Sequence, residues 1–332
     1  MLQPLTAFLL TSSVWQANTF PTITPESCLA HVRFLASDLL EGRGTPSPGL
    51  EIAAEYIAAQ FAAAGISPGV KDSFFQVSEF ENRRSAVKGR VRNVIGMIKG
   101  TDPKLKDTFV LVTAHYDHLG KRSGEGDQIF NGANDNASGT SGVIEIAKAL
   151  AASKPKRNIV FIAFWGEEMG LQGARYYVQN PVFPLKATNC VLNLEQIGRT
   201  DDDEGPRVSE FNVTGFDMTT LAEHLKKSAT PYSVKVSMHA KNSTPFFFAS
   251  DNAAFATAGV PANTVSTAYG FPDYHQAGDE SSKIHPENMA KIVKALAAGT
   301  LNLANDAKNI EWNKDHKGAA RFVEAHKKLH GG

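Results

Sequence analysis

Cysteine is scarce in this 332-residue sequence, with Cys28 and Cys190 its only two. Two cysteines cannot build a disulfide framework or a cysteine-ligated zinc site, so any metal must rest on imidazole and carboxylate. Both thiols read as buried and free rather than paired. Net charge is absent as well: 34 basic residues balance 34 acidic ones. That balance removes the electrostatic reason for a polyanionic partner, and nucleic acid is disfavoured. Long apolar runs are missing too, none approaching the roughly 20 residues of a membrane-spanning helix. No repeat or low-complexity linker breaks the chain, which reads as one domain.

What is present is an ordinary globular composition, 42% apolar and 20% charged. The first 17 residues, "MLQPLTAFLLTSSVWQA", carry a short apolar patch from Leu5 to Leu10 but no basic residue before Arg33. Residues 1–23 therefore read either as a degenerate export signal or as a disordered extension. Thr24-Pro25 starts a helix expected to run to about Leu40, and "GLEIAAEYIAAQFAAAG" gives a second that ends at Gly65. Strands are expected at "RVRNVIGMIKG", "TFVLVTAH", "NIVFIAF", "CVLNLE", "FNVTG" and "VPANTVS". Helices alternate with them: from Ser138 to about Ala152, then "LQGARYYV", "MTTLAEHLKKS" and "PENMAKIVKALAAGTLNLAN". This rhythm predicts an α/β fold, a mixed and mostly parallel central sheet with helices on both faces. One domain would span residues 24–306, followed by a helical tail over 307–332. The basic cluster between Arg83 and Arg92 reads as an exposed hairpin. Asp201 to Glu204 reads as a solvated loop, with a calcium site as the alternative.

The chemistry-bearing residues fall at strand ends. His115 and Asp117 close "VLVTAHYDHLG", and Asp135 sits in "NGANDNASGTSG" just before a helix. Glu167 and Glu168 end the run "NIVFIAFWGEE", Glu195 ends "CVLNLE", and His275 follows in "FPDYHQAGD". Two adjacent carboxylates at the mouth of a buried strand repel each other and resist desolvation. In an open parallel sheet the carboxyl ends of the strands share one edge, where ligands bind. Two imidazoles and three carboxylates there suit a pair of zinc-like ions, each held by one histidine and one carboxylate, with a third carboxylate bridging. One glutamate at the strand mouth can then be neutralised by metal while its neighbour stays free as a base.

These segments resemble the co-catalytic zinc exopeptidases of the bacterial leucyl aminopeptidase type, whose relatives include glutamate carboxypeptidase and the glutaminyl cyclases. The resemblance rests on "TAHYDHLG", "GANDNASGTSGVIEIAKAL", "AFWGEEMGLQGARYY", "VLNLEQIGR" and "DYHQAGDESSKI", in the family's order, and runs from about Thr24 to Ala304. It implies the zinc-dependent exopeptidase fold, phosphorylase/hydrolase-like, and two Zn2+ ions per chain. Asp135 would bridge, His115 and Glu195 would complete one ion, and Glu168 with His275 the other. Glu167 would be the general base, Asp117 the partner that orients His115, and Tyr274 a stabiliser of the oxyanion. The Asp135-Asn136 peptide would be cis. Two departures stand out: Glu195 where the family more often has Asp, and Asn252 in "FASDNAAF" where a histidine is common.

The resemblance further implies a peptide substrate hydrolysed at a chain terminus, an aminopeptidase before a carboxypeptidase or dipeptidase. The alternatives are a glutaminyl cyclase-like transferase and a non-catalytic binding relative. Export to the periplasm or medium is expected because many relatives are exported. Phe246, Phe247 and Phe248 are candidates for an apolar substrate pocket or for core.

Overall fold

The computed structural model describes residues 20–82 and 87–332. The nine principal strands in chain order are β1 (Ser67–Pro68), β2 (Phe75–Asn82), β3 (Val87–Ile98), β4 (Phe109–His115), β5 (Asn158–Phe164), β6 (Thr188–Leu194), β7 (Glu210–Val213), β8 (Lys235–Ser237) and β9 (Ala262–Ser266). They form one sheet in the order β1-β3-β5-β4-β6-β9-β7-β8, with β2 also paired to β3. The four central strands β5, β4, β6 and β9 are parallel, whereas β3 joins β5, and β7 joins β9, in antiparallel fashion. The mixed sheet expected from the alternation is therefore present, with its parallel part at the centre.

The central strands are short runs of apolar and β-branched residues, buried at every position of β4, β5 and β6. Side chains alternate across a strand, so each strand feeds two cores. Val110, Val112, Ile159, Phe161 and Ala163 point to one face. Leu111, Val160, Ile162 and Phe164 point to the other. The first face is covered by α1 (Pro25–Leu35), α2 (Pro48–Ala63), α3 (Gly139–Leu150), α5 (Leu221–Ala229) and α8 (Pro286–Asn305). The second is covered by α4 (Gln172–Gln179) and α7 (Asn252–Thr257). A short helix α6 (Ser243–Phe247) and α9 (Ala320–Leu329) build a third, smaller cluster around Phe247, Trp312 and Phe322.

Three expectations change. The first helix stops at Leu35 rather than near Leu40, because the Ser37 side chain accepts from Leu39 N and starts a separate 3-10 turn over Asp38–Arg43. The acidic run is not a freely solvated loop: Asp202 is buried, 3.0 Å from His239 Nε2 and 3.5 Å from Arg207 Nε. Residues 75–82 and 87–98 do form an antiparallel hairpin, but its Arg92 is buried rather than exposed, 2.6 Å from Glu55 Oε1 and 2.8 Å from Glu51 Oε2, and Arg83-Arg84 lie outside the described residues. Residues 1–19 lie outside them as well. Cys28 and Cys190 are both buried and free, and no helix among the described residues is long and apolar enough to cross a membrane.

Candidate active site

The carboxyl ends of β4, β5 and β6 open onto one rim, and the loops leaving them carry the acid cluster. His115 is the last residue of β4. Its Nε2 lies 3.0 Å from Glu195 Oε1, 3.4 Å from Asp135 Oδ1 and 3.9 Å from Glu167 Oε2. Asp135 faces the other way with its second oxygen, 3.2 Å from His275 Nε2, which also lies 3.3 Å from Glu168 Oε2. One carboxylate thus stands between two histidine–glutamate pairs, and all five expected ligands converge.

The fold builds this convergence from backbone amides. Asp279 accepts from the backbone N–H groups of Asn134 and Asp135 at 2.9 to 3.0 Å and fixes the Asp135 loop. Asn136 Oδ1 accepts from Gln196 N and Asn134 Oδ1 from Gly198 N, tying that loop to the chain that follows Glu195. The Asp135-Asn136 peptide is cis. Glu195 spans the extra methylene relative to aspartate by anchoring its second oxygen on the Ser250 hydroxyl at 2.7 Å. Asn252 does not reach the cavity; it donates to Phe247 O and accepts from Thr264 Oγ1.

Asp117 orients His115 less through its carboxylate than expected. His115 Nδ1 is 3.2 Å from the Asp117 carbonyl and 3.5 Å from its carboxylate. The carboxylate accepts instead from Glu167 N at 3.0 Å and from the Thr45 hydroxyl at 3.1 Å. Asp117 therefore ties the Glu167 backbone to the histidine strand. Tyr274 lines the cavity and stacks on the His275 ring with centroids 4.0 Å apart.

Burial and neighbours set the charges. Burial pushes the Glu167 carboxyl well above its ordinary range, and the carboxylates of Glu195 and Glu168 add to it against the pull of His115. Burial and Asp135 push Glu168 up as well, but hydrogen bonds from His118 and His275 outweigh them and its value is lowered. Burial works against the charged form of His275, yet bonds to Asp135 and Glu168 raise it to about 10. Asp135 is held low by His115 and His275 despite its burial.

Three residues escaped the sequence reading. His118 places Nδ1 2.8 Å from Glu168 Oε1, while its Nε2 is buried without a partner among the described residues. An orphaned buried N–H costs more than an orphaned lone pair, so the proton belongs on Nδ1, donated to Glu168. His118 then orients the carboxylate whose other oxygen faces His275. Its signal was its place in "HYDHLG", and Gly132 is required beside it, because a Cβ there would sit 2.5 Å from the imidazole. Arg43 is fully buried behind the cluster, and its guanidinium donates to the carbonyls of Leu35, Tyr116, Asn131 and Gly132. Desolvation lowers it to about 10, resisted by Asp117, Asp279, Asp135 and Glu168. Asp251 is buried with neither carboxylate oxygen bonded among the described residues, and burial holds its carboxyl well above the ordinary range.

The donor set fits zinc. His115, Asp135 and Glu195 present ligand atoms within 4.8 Å of one another, and such N/O sets bind zinc tetrahedrally. Among the described residues, no lysine or arginine forms an ion pair with Asp135, Glu167, Glu168 or Glu195, which pair with histidines only. A crowd of buried carboxylates without such partners is costly unless a cation neutralises it.

Comparison with known proteins bears on the fold and the family. The solved structure of BSAP, a zinc aminopeptidase from Bacillus subtilis, superposes with a TM-score of 0.68 at 17% identity, covering 86% of this chain and 96% of that one. The sequence is 29% identical over 236 residues to aminopeptidase YwaD of Bacillus subtilis (strain 168), covering 69% of this chain and 47% of YwaD. It is 28% identical over 218 residues to a probable zinc metalloprotease of Pyrenophora tritici-repentis, covering 64% of this chain and 49% of that protein. The chain thus spans about half the length of these two relatives. The family model that matches extends over residues 93–300, from β3 to α8, more than half of the chain, which therefore belongs to peptidase family M28.

Proposed function

We propose that this protein is a zinc metallopeptidase that removes residues from a peptide terminus, an aminopeptidase with two Zn2+ ions per chain. The observation that carries the reading is Asp135 standing between two histidine–glutamate pairs. His115, Asp135 and Glu195 would hold one ion, and Asp135, Glu168 and His275 the other. A bound zinc ion supplies Lewis-acid polarisation of a carbonyl and acidifies water. The rest falls to the chain's own groups. Glu167, whose Oε2 is 3.9 Å from His115 Nε2, takes the proton of the attacking water and returns it to the leaving amine. Its raised proton affinity, caused by burial, suits a group that must hold a proton between those steps. The Tyr274 hydroxyl donates to the developing oxyanion. Leu171, Phe246 and Phe248 line the cavity of about 340 Å3 and would receive an apolar side chain, while Phe247 is core. Export to the periplasm or medium goes with this reading.

The test is hydrolysis of aminoacyl-anilides beside their N-acetylated forms, after chelation and again after zinc is restored. Zinc-dependent cleavage of the free-amine series alone is expected, with about two zinc ions per chain by elemental analysis. Zinc-dependent cleavage of the N-acetylated series would overturn the aminopeptidase assignment, and a chain that binds no zinc would overturn the whole reading.

A further inference from the structure

The cavity at the metal centre is lined by four carboxylates, those of Asp135, Glu167, Glu168 and Glu195, and by the two imidazoles that engage them. One further charged side chain lines it, Arg175 of α4. Arg175 also lines an adjoining cavity of about 430 Å3, whose remaining lining includes Leu171, Val178, Phe248 and Ala254. The two cavities share Leu171, Arg175 and Phe248, so Arg175 stands between them. Other arginines near the site are committed. Arg199 binds Asp201 and Asp273, Arg207 binds Glu204 and Glu210, and Arg43 donates to four backbone carbonyls. Arg175 has no ion pair, side-chain hydrogen bond or ring contact among the described residues, and it is exposed.

A guanidinium presents a planar fork that matches a carboxylate with two parallel hydrogen bonds. Beside four anionic groups it also offsets the repulsion that a negatively charged ligand would otherwise meet. An extended substrate advances about 3.3–3.6 Å per residue. A carboxylate one or two residues past a bond cleaved at the metal centre would therefore fall within the span of a long side chain lining the same cavity. We propose that Arg175 captures a substrate carboxylate one or two residues past the scissile bond, which makes short peptides with a free carboxyl terminus the preferred substrates. This rests on the aminopeptidase reading above and adds to it the class of peptide. The same carboxylate chemistry could come from an acidic side chain at the second position, and the experiment separates the two sources.

Zinc-loaded protein and its Arg175→Gln and Arg175→Lys variants would be assayed on leucyl-anilide, leucyl-glycine, leucyl-glycinamide, leucyl-glutamine amide and leucyl-glutamic acid α-amide. Calorimetric titration with uncleaved D-leucyl-glycine and its amide gives the same comparison without turnover. The wild type is expected to favour leucyl-glycine over its amide by about tenfold, mainly through KM. Arg175→Gln should bring that ratio to one or below, and Arg175→Lys should keep part of it. A preference that follows the glutamate side chain and vanishes in Arg175→Gln supports carboxylate capture with the side chain as its source. A wild-type ratio near one in both kinetics and calorimetry, with no preference for the glutamate side chain either, overturns the proposal, as does a preference in Arg175→Gln within twofold of wild type. Failure to cleave leucyl-anilide would overturn the aminopeptidase reading instead, and the calorimetric pair would still decide the role of Arg175.

Discussion

Glu167 and Glu168 are neighbours in sequence and opposites in environment. Glu168 is gripped at one oxygen by His118 and faced at the other by His275, and its proton affinity falls. Glu167 is raised by burial and by the like charges of Glu195 and Glu168, and the His115 ring 3.9 Å away offsets them only in part, so its proton affinity rises. Two carboxyls pushed apart in this way suit the proposed division of labour, with Glu168 as ligand and Glu167 as base. Replacing Glu167 by Gln should therefore lower kcat by about 10²–10⁴-fold while zinc content, read by elemental analysis, stays near wild type. Loss of zinc in that variant would instead make Glu167 a ligand. His275 offers a second test, in the metal-free protein. Its folded-state value of about 10 lies above the ordinary 6.5, so its charged form stabilises the fold fully below the lower value. That contribution is lost as pH climbs through the higher one. The melting temperature of metal-free wild type should thus fall towards that of His275→Ala between those two pH values, and a gap that widens instead would contradict the assignment.

At the scale of elements, the site depends on loops that meet only because a few polar side chains bind backbone. Asp279, Asn134 and Asn136 lash the Asp135 loop to the segment after β6, and Arg43 lashes the 3-10 turn and α1 to the loop before it. Without the guanidinium, four buried carbonyls lose a donor, and all but Gly132 O, which keeps Ala137 N, do so at a cost of about 1–3 kcal/mol each. Arg43→Ala should lower unfolding stability in urea by at least about 3 kcal/mol, more than any exposed arginine substitution. A loss below 1 kcal/mol, roughly the worth of a surface contact, would show that the loop holds itself. The sequence pointed to the strands, the Asp135 loop and the five candidate ligands. It did not point to Arg43 or His118, because nothing in "EGRGT" or "HYDHLG" says that the guanidinium turns inward or that the second histidine reaches Glu168 across fifty residues.

For the molecule as a whole, the two faces of the sheet carry separate cores, and the C-terminal segment closes a third. Trp312 donates to Gly259 O at 3.0 Å and stacks on Phe322 with centroids 5.0 Å apart. Truncating a buried aromatic of this kind costs about 3–5 kcal/mol. Trp312→Ala should lower the melting temperature by several degrees, because the segment that begins near Asp306 packs onto the domain rather than lying free. An unchanged melting temperature would show that this segment adds nothing to the domain's stability.

Local pattern decided the α/β alternation and the strand-end placement of His115, Glu167, Glu168 and Glu195. These follow from runs of adjacent residues, since strand burial and helix caps depend on near neighbours. Tertiary packing alone decided that Asp135 would divide its oxygens between His115 and His275, that Asp117 would bind the Glu167 backbone, and that Asp202 would be buried against His239. It also decided which phenylalanines face the cavity and that Arg175 stands at its mouth unpaired. The physical reason is range: hydrogen bonds and charge pairs between segments tens of residues apart exist only once the parallel sheet brings their strand ends to one edge.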